Sequence, residues 1–530
     1  LTPDLPHGIF ALMADAYDEI AYPGHSYPDT HPDRLATIAH LLGVDAASPE
    51  RCNVLELGTG DGANLVPLAY ALPGSTFIGI DRACQPIERG KAMAAALGLG
   101  NVRLECADLM AVTPEIGTFD YIIAHGLFSW VPEPVRLRVL AICQHCLAPN
   151  GVAFISYLAL PGSHVRSIMR DMMLFHTRNL TDSKERVRQA SALAQVIGGA
   201  GPEKVWSGYT KAVLDEVREA DDSVLFHDYL AEYNGAYYFM QFGELAGRHG
   251  LQFLSEAEYP AGFLDVKDPT PQVTHALESL GSDPVLREQY YDFIRCRRFR
   301  QTLLVRSGVT IQRDVPASRV AGLHVISDLE PVVPETDLQT TVEETFTRPG
   351  GGSLLTDHRV ARAALRRLAR VWPATMPAEE LLDAARADAG RSADTRAIDR
   401  EALFTILLRS YERGHLDLRR SPIRLSTSPG ERPQVSPVAR YQLERRSGMT
   451  NLRHHTIKAM DDLGATLIRL LDGTRDRQAI LADLLRAVAS GQAELQEDGR
   501  KVTDEKRAAA LLAEQLEDRL NGLAKSALLV

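Results

Sequence analysis

Three carboxylates recur at the ends of three apolar runs. Glu56 lies inside Asn53-Val54-Leu55-Glu56-Leu57-Gly58-Thr59-Gly60-Asp61-Gly62, Asp81 closes Thr76-Phe77-Ile78-Gly79-Ile80-Asp81, and Asp108 follows Val102-Arg103-Leu104-Glu105-Cys106-Ala107. In an open α/β sheet, ligands lie beyond the carboxyl ends of the strands, so acids placed there face one crevice. Glycines in the first turn let the backbone bend sharply and approach a ligand closely. An acid ending the second strand can accept hydrogen bonds from both hydroxyls of a ribose, and one after the third can take an adenine amino group. The chemistry indicated is nucleoside binding. Glycine-rich turns also serve nicotinamide and flavin enzymes, and Ala63 at the third glycine position of GxGxxG does not exclude a dinucleotide. The spaced set Glu56, Asp81 and Asp108 narrows the choice.

These acids need strands and helices in alternation. Phe119 to Ala124 reads as a fourth strand leading into His125-Gly126, and Val152 to Tyr157 as a fifth, after the turn Pro149-Asn150-Gly151. A helix follows the first turn (Asn64 to Ala71), and the alternation predicts a parallel sheet. Two later strands, Leu251 to Tyr259 and Phe299 to Arg306, complete it, the second preceded by a helix from Pro284 to Arg298. The alanine-rich, charged stretch 176–225 is then a helical insertion suited to a lid or a dimer face.

With this set of acids, the chain resembles class I S-adenosylmethionine-dependent methyltransferases, whose sheet finishes with two such strands, the last antiparallel. The resemblance implies that Gly58 and Gly60 flank the methionine part, Asp81 holds the ribose, and Asp108 with Leu109 holds the adenine. Thr59, Asp61, Asn64, Arg82, Ala107, His125 and Gly126 complete the expected cofactor set. Flanking segments point to one family: Tyr17-Asp18-Glu19-Ile20 and Tyr22-Pro23-Gly24-His25-Ser26-Tyr27-Pro28 before the first strand, Ser129-Trp130-Val131-Pro132 after the fourth, Pro161-Gly162-Ser163-His164-Val165-Arg166 after the fifth, then Asn451-Leu452-Arg453-His454 and Asp472-Gly473-Thr474-Arg475-Asp476-Arg477. The combination resembles bacterial methyltransferases with a methyltransferase regulatory domain, typified by rickettsial protein lysine methyltransferases.

That resemblance implies N-methylation of lysine on a protein or peptide, with S-adenosylhomocysteine as by-product. Phe128 and Trp130 are then expected as walls of an acceptor slot, and His125 or Ser129 as the group that orients or deprotonates the nucleophile. Tyr17, Tyr22 and Tyr27 would fold over the cofactor. Two other readings stay open: a small-molecule N- or O-methyltransferase, and a non-catalytic adaptor that reports methyl-donor supply.

The expected fold class is α/β: a Rossmann-like seven-stranded methyltransferase core with a helical insertion, followed by mainly helical, winged-helix-like C-terminal domains. The partition is 1–45 (cofactor lid), 46–175 (cofactor-binding core), 176–225 (insertion), 226–308 (completion of the core), 309–436 (a middle regulatory, winged-helix-like unit) and 437–530 (a C-terminal helical unit). Over 530 residues the formal net charge is −11, which argues against a dedicated nucleic-acid binder. The runs Arg295, Arg297, Arg298, Arg300 and Arg362, Arg366, Arg367, Arg370 read as solvated faces. No apolar stretch is long enough to cross a bilayer and the N-terminal residues do not form a signal peptide, so a cytoplasmic location is expected. Six sparse cysteines fit a reducing compartment, with Cys143 and Cys146 in an apolar helix. His31, His164 and His176 show no metal-ligand spacing, and no metal is expected. A homodimer is compatible with the insertion.

Overall fold

The computed structural model of the chain describes residues 20, 24–200, 208–258, 275, 283–445, 448–458, 461–497 and 500–530. Its centre is a mixed sheet: β1 (Asn53–Leu57), β2 (Thr76–Asp81), β3 (Val102–Cys106), β4 (Phe119–Ala124), β5 (Leu147–Ala159), β6 (Ala236–Tyr237), β7 (Leu251–Glu256) and β8 (Phe299–Arg306). The strand order is β3-β2-β1-β4-β5-β8-β7, with β6 beside the end of β5. β1 to β5 run parallel, and β8 lies antiparallel between β5 and β7. The expected seven strands are present; the eighth, β6, is two residues that pair with Leu158 and Ala159 where β5 outruns its neighbours.

Buried strands explain why the first half is so readable. Val152 to Ala159 are all buried, as are Val54, Leu55, Leu57, Tyr121, Ile122 and Ile123. Parallel strands covered on both faces appear in sequence as continuous apolar runs. β5 begins earlier than expected, at Leu147, because a register shift between Phe119 and Tyr121 absorbs Pro149-Asn150-Gly151 within the pairing to β4. Helices α1 (Pro32–Leu41), α2 (Leu65–Ala71), α3 (Cys84–Ala96) and α4 (Glu133–Cys146) cover the sheet. Cys143 and Cys146 are core residues of α4, as their apolar spacing indicates.

After β5 the chain builds α5 (Ser163–Thr177), α6 (Ser183–Ala200), α7 (Tyr209–Glu219) and a π-helical turn, Leu225–Tyr229, around a separate apolar cluster that includes Met169, Met173, Val213 and Tyr229. The path returns through α8 (Phe239–Arg248) and β7, then α9 (Pro284–Arg295) and β8. The expected strand Leu251 to Tyr259 is realised over Leu251–Glu256, and Tyr259 lies outside the described residues.

Two arginine runs need correction. Arg300 is 0% exposed and bonds Glu256, Glu288 and Asp292 at 2.6, 2.9 and 2.9 Å, with its guanidinium over the Phe239 ring. Arg362 is buried against Glu344 at 2.9 Å, and Arg366 reaches the same carboxylate. These side chains sit inside ion networks rather than on solvated faces.

Residues 317–419 form a second unit of helices Arg359–Val371, Ala378–Asp388 and Arg396–Glu412 with a small sheet of His324–Ile326, Met376–Pro377 and Asp417–Arg419. The last unit has helices Asp462–Leu470, Arg477–Ala489 and Glu505–Lys525, and hairpins Gly448–Thr450/Thr456–Lys458 and Gln496–Glu497/Arg500–Lys501. Its Asp-Gly-Thr-Arg-Asp-Arg motif is structural: Arg475 joins Asp472 and Asp483, and Asp476 caps the following helix through the N–H of Ala479. Among the described residues no helix is long and apolar enough to cross a membrane.

Candidate active site

β1 leads into a turn with three left-handed positions, Gly58 (φ 74°), Gly60 (φ 57°) and Gly62 (φ 69°). A side chain would strain each of them, and at Gly58 a Cβ would also press on Leu127 at 3.1 Å. The bend delivers the N–H of Gly60 to Oδ2 of Asp81 at 2.8 Å, while the N–H of Ala83 donates to Oδ1 at 2.8 Å. The Asp81 carboxylate is thus fixed at the end of β2 with lone pairs to spare for a diol. Burial raises its pKa.

Glu56 anchors the other side of the turn. Its Oε2 accepts from the Thr59 hydroxyl at 2.6 Å and its Oε1 from the Asn64 amide at 2.7 Å. Burial pushes its pKa to about 7, and the nearby Asp81 and Asp61 push the same way. Asp108 caps a short turn by accepting from the N–H of Met110 at 2.9 Å. Cys84 and Cys106 are disulfide-bonded, which ties the start of α3 to the end of β3 between Asp81 and Asp108. Sparse cysteines gave no sign of that pair.

A cavity of about 470 Å³ opens over these strand ends. It is lined by the expected Tyr27, Glu56, Gly58, Thr59, Gly60, Asp61, Asn64, Asp81, Arg82, Asp108, Leu109, His125, Gly126 and Trp130. Ala107 is not in the lining; its N–H donates to the carbonyl of Asp81, which holds β3 in place. Tyr17 and Tyr22 lie outside the described residues.

Two expected acceptor-slot residues face elsewhere. Phe128 is fully buried, edge-on to Phe242 at 5.5 Å and near Tyr157 and Tyr237. Ser129 is also fully buried, and its hydroxyl accepts from the N–H of Leu158 at 2.8 Å, fixing the end of β5. Packing and strand termination account for both.

His125 and Trp130 do face the cavity. The Tyr27 ring lies 3.9 Å from that of His125, and Phe299 stands 6.2 Å from His125 and 6.5 Å from Trp130. Among the described residues, His125 Nδ1 and Trp130 Nε1 are buried without a hydrogen-bond partner. Burial lowers the His125 pKa to about 4, so the ring is neutral at pH 7.

The far wall contains residues the sequence did not single out as site residues. Arg166 on α5 and His227 and Asp228 on the π-helical turn line the cavity, as do His25, Arg89 and Phe299. Arg166 pairs with Asp228 at 3.3 Å and lies over the Tyr229 ring. His227 holds the carbonyl of Ile20 at 2.6 Å. Burial raises the Asp228 pKa. Among the described residues no group of three His, Cys, Asp or Glu side chains could hold a metal ion.

A sheet of this order, with a glycine turn after β1 and carboxylates ending β2 and following β3, defines a class I methyltransferase with an S-adenosylmethionine site. The comparisons agree. Residues 54–151 match the methyltransferase domain profile, 221–306 a predicted methyltransferase regulatory domain, and 431–528 the C-terminal winged helix domain of PKMT. The chain belongs to the family of bacterial S-adenosylmethionine-dependent methyltransferases that combine these three domains.

Among its relatives in Rickettsia prowazekii, uncharacterized protein RP789 is 29% identical over 97% of this chain and 93% of its own length. Uncharacterized protein RP028 is 34% identical over 45% of this chain and 96% of its own length. The structure of PKMT2 from Rickettsia typhi in complex with AdoHcy superposes with a TM-score of 0.86 at 27% identity, covering 96% of this chain and 99% of that one. The regulatory match, 221–306, takes in the strands that complete the sheet, and the winged-helix match, 431–528, falls on the last unit.

Proposed function

We propose that the chain N-methylates lysine side chains of a protein or peptide. S-adenosylmethionine, when bound, supplies a methyl group on a sulfonium, activated for in-line displacement. The residues around it bind, orient and exclude water. Asp81 and Asp108 would fix the nucleoside, and the Glu56–Thr59–Asn64 cluster would hold the turn beside the methionine part.

The observation that carries the reading is the end of the cavity where the Tyr27 and Phe299 rings stand 3.9 and 6.2 Å from that of His125, Trp130 shares the lining, and His125 Nδ1 has no hydrogen-bond partner among the described residues. A lysine amine has an ordinary pKa of about 10.4 and must shed its proton to attack. An apolar, aromatic slot disfavours the ammonium form, and ring faces tolerate the cationic product. Neutral His125 can accept a hydrogen bond from an amine N–H and aim its lone pair at the methyl carbon.

Transfer would join the acceptor nitrogen to the methyl carbon with the sulfur leaving as a neutral thioether, and the proton of the methylated ammonium would pass to water. The winged helix and middle unit give a large substrate a surface beyond the slot.

The test is transfer from methyl-labelled S-adenosylmethionine into a bacterial lysate. Label recovered as methyllysine in acid-precipitable protein is expected; label only in small molecules would refute the reading. A companion variant, Trp130→Ala, should lower kcat/KM for the acceptor about 10- to 100-fold through loss of positioning, with cofactor affinity within about twofold. Unchanged acceptor kinetics would remove Trp130 from the slot.

A further inference from the structure

The cofactor turn has a neighbour from the far end of the chain. His454, in the turn between strands Gly448–Thr450 and Thr456–Lys458, is buried, and its Nε2 lies 2.8 Å from Oδ1 of Asn64. The Asn64 amide donates to Oε1 of Glu56, and Oε2 of Glu56 accepts from Thr59, which stands between Gly58 and Gly60. Three side-chain hydrogen bonds therefore link the winged-helix unit to the glycine turn. The same Oδ1 of Asn64 accepts from the N–H of Tyr27 at 3.0 Å, and the Thr30 hydroxyl lies 3.3 Å from that oxygen and 3.0 Å from the Asn64 amide nitrogen.

A second pair of contacts reinforces the first. The Thr456 hydroxyl lies 3.1 Å from the N–H of Ser26 and 3.0 Å from its hydroxyl. The segment that carries Tyr27 over His125 is thus held on one side by Asn64 and on the other by the C-terminal hairpin.

The turn that presents His454 is itself moored. Asn451 accepts through Oδ1 from the N–H groups of Arg453 and His455, and its own amide donates to the carbonyl of Ser526. The N–H of Leu452 donates to the carbonyl of Ala527. His454 itself is left-handed, at φ 65°. A non-glycine residue keeps that conformation only where its surroundings impose it. The imposed conformation points the ring at Asn64.

We propose that His454 is a positioning residue of the methyl-donor site: it donates Nε2–H to Asn64, fixes the orientation of that amide and, through Glu56, holds the glycine turn in its binding geometry. Thr456 acts beside it by pinning the Ser26–Tyr27 segment. The winged helix then governs donor affinity as well as offering a surface. Coupling of this kind is reciprocal, so donor-site occupancy also steadies the hairpin. Burial, with His455 and Arg419 nearby, lowers the His454 pKa to about 3, and the ring stays the neutral single donor that the contact needs. The lysine reading is not required, because the test reads binding to the donor site directly.

The experiment measures S-adenosylhomocysteine binding to the full chain by calorimetry. His454→Ala should raise Kd about five- to tenfold, the size of one lost buried hydrogen bond. His454→Gln, which keeps an N–H donor, should return it to within about twofold. In an Asn64→Ala background, the effect of His454→Ala should fall below about twofold, since coupled partners are non-additive. Steady-state kinetics should show the change in the KM for S-adenosylmethionine, with kcat nearly constant. Bound S-adenosylhomocysteine should slow amide exchange at residues 448–458 in the parent chain and not in His454→Ala. Parent-like affinity in His454→Ala, or the same loss in both backgrounds, would overturn the proposal. If His454→Ala does not fold, Thr456→Val decides at an exposed position: a Kd raised about two- to fourfold supports the pinning, and an unchanged Kd overturns it.

Discussion

At pH 7 a carboxyl group whose pKa is about 7 is half ionised, and Glu56 is such a group. The ordinary glutamate value is about 4.3, so the folded chain holds this proton more tightly than the unfolded chain. The stabilisation from that preference is complete below about pH 4 and is lost as the pH rises through 7. A cationic ligand beside the carboxylate favours the ionised form. S-adenosylmethionine should therefore bind with release of a proton, and more tightly as the pH rises from 5 to about 7. Calorimetry in buffers of different ionisation enthalpy should detect the proton, and Glu56→Gln should abolish it; proton-neutral binding in the parent chain would contradict the assignment. Asp81 gives a simpler expectation. Asp81→Ala removes a charge-assisted contact and should weaken cofactor binding more than tenfold, about 1.4 kcal/mol or more. Equal affinity by calorimetry would show that Asp81 does not hold the ribose. These two acids are legible in sequence because each follows or interrupts a continuous apolar run. Arg166, His227 and Asp228 are not, since polar residues on a helical segment read as a solvated face until tertiary structure turns them inward. Phe128 and Ser129 mark the opposite error: they border a functional motif, and their roles are packing and strand capping.

The elements that complete the sheet rest on a buried ionic cluster. β8, β7 and α9 meet where Arg300 bonds three carboxylates with no exposure of its own side chain. Removing one member of such a cluster leaves uncompensated charge in a low-dielectric interior. Arg300→Ala should cost about 3–5 kcal/mol, seen as a lower urea midpoint. A shift of less than about 1 kcal/mol would mean that water reaches the cluster or that the carboxylates take up protons at little cost. Spacing within one run could not reveal this, because Glu256 lies 44 residues before Arg300 and pairing depends on strand order. The strands themselves are legible, for burial on both faces leaves an unmistakable apolar signature. Their exact ends are less so: the start of β5 depends on a register shift that only the partner strand defines.

At the scale of the whole molecule, Asp33 joins the core to the middle unit. It is 0% exposed, and its carboxylate accepts from the N–H groups of Arg420 and Ser421 at 3.1 and 2.9 Å, and from the Ser421 hydroxyl. Arg34, one residue on, bonds Asp417 at 3.1 Å and the carbonyl of Ala257 at 2.9 Å. Asp33→Ala leaves three donors unsatisfied at a buried junction, a loss of about 2–4 kcal/mol. Scanning calorimetry should then resolve the middle unit as a separate, earlier transition; a single parent-like transition would show that Asp33 does not couple the units. None of this is visible in sequence, where Asp33 is an ordinary first-turn residue of a helix.

The antiparallel strand β8 has a consequence for synthesis. It fills the gap between β5 and β7, and its partners in β5 lie far back in the chain: Phe299 pairs with Leu158 and Leu304 with Ala153. A nascent chain that has not yet reached residue 299 therefore carries two strands with open edges and one of its two main apolar clusters without Leu303 and Val305. Such edges are templates for wrong pairing, and contacts this distant close slowly. Every molecule must pass through that interval on the ribosome, so a slow stretch of translation soon after residue 306 has emerged would favour correct closure, while a pause before it would lengthen exposure to aggregation.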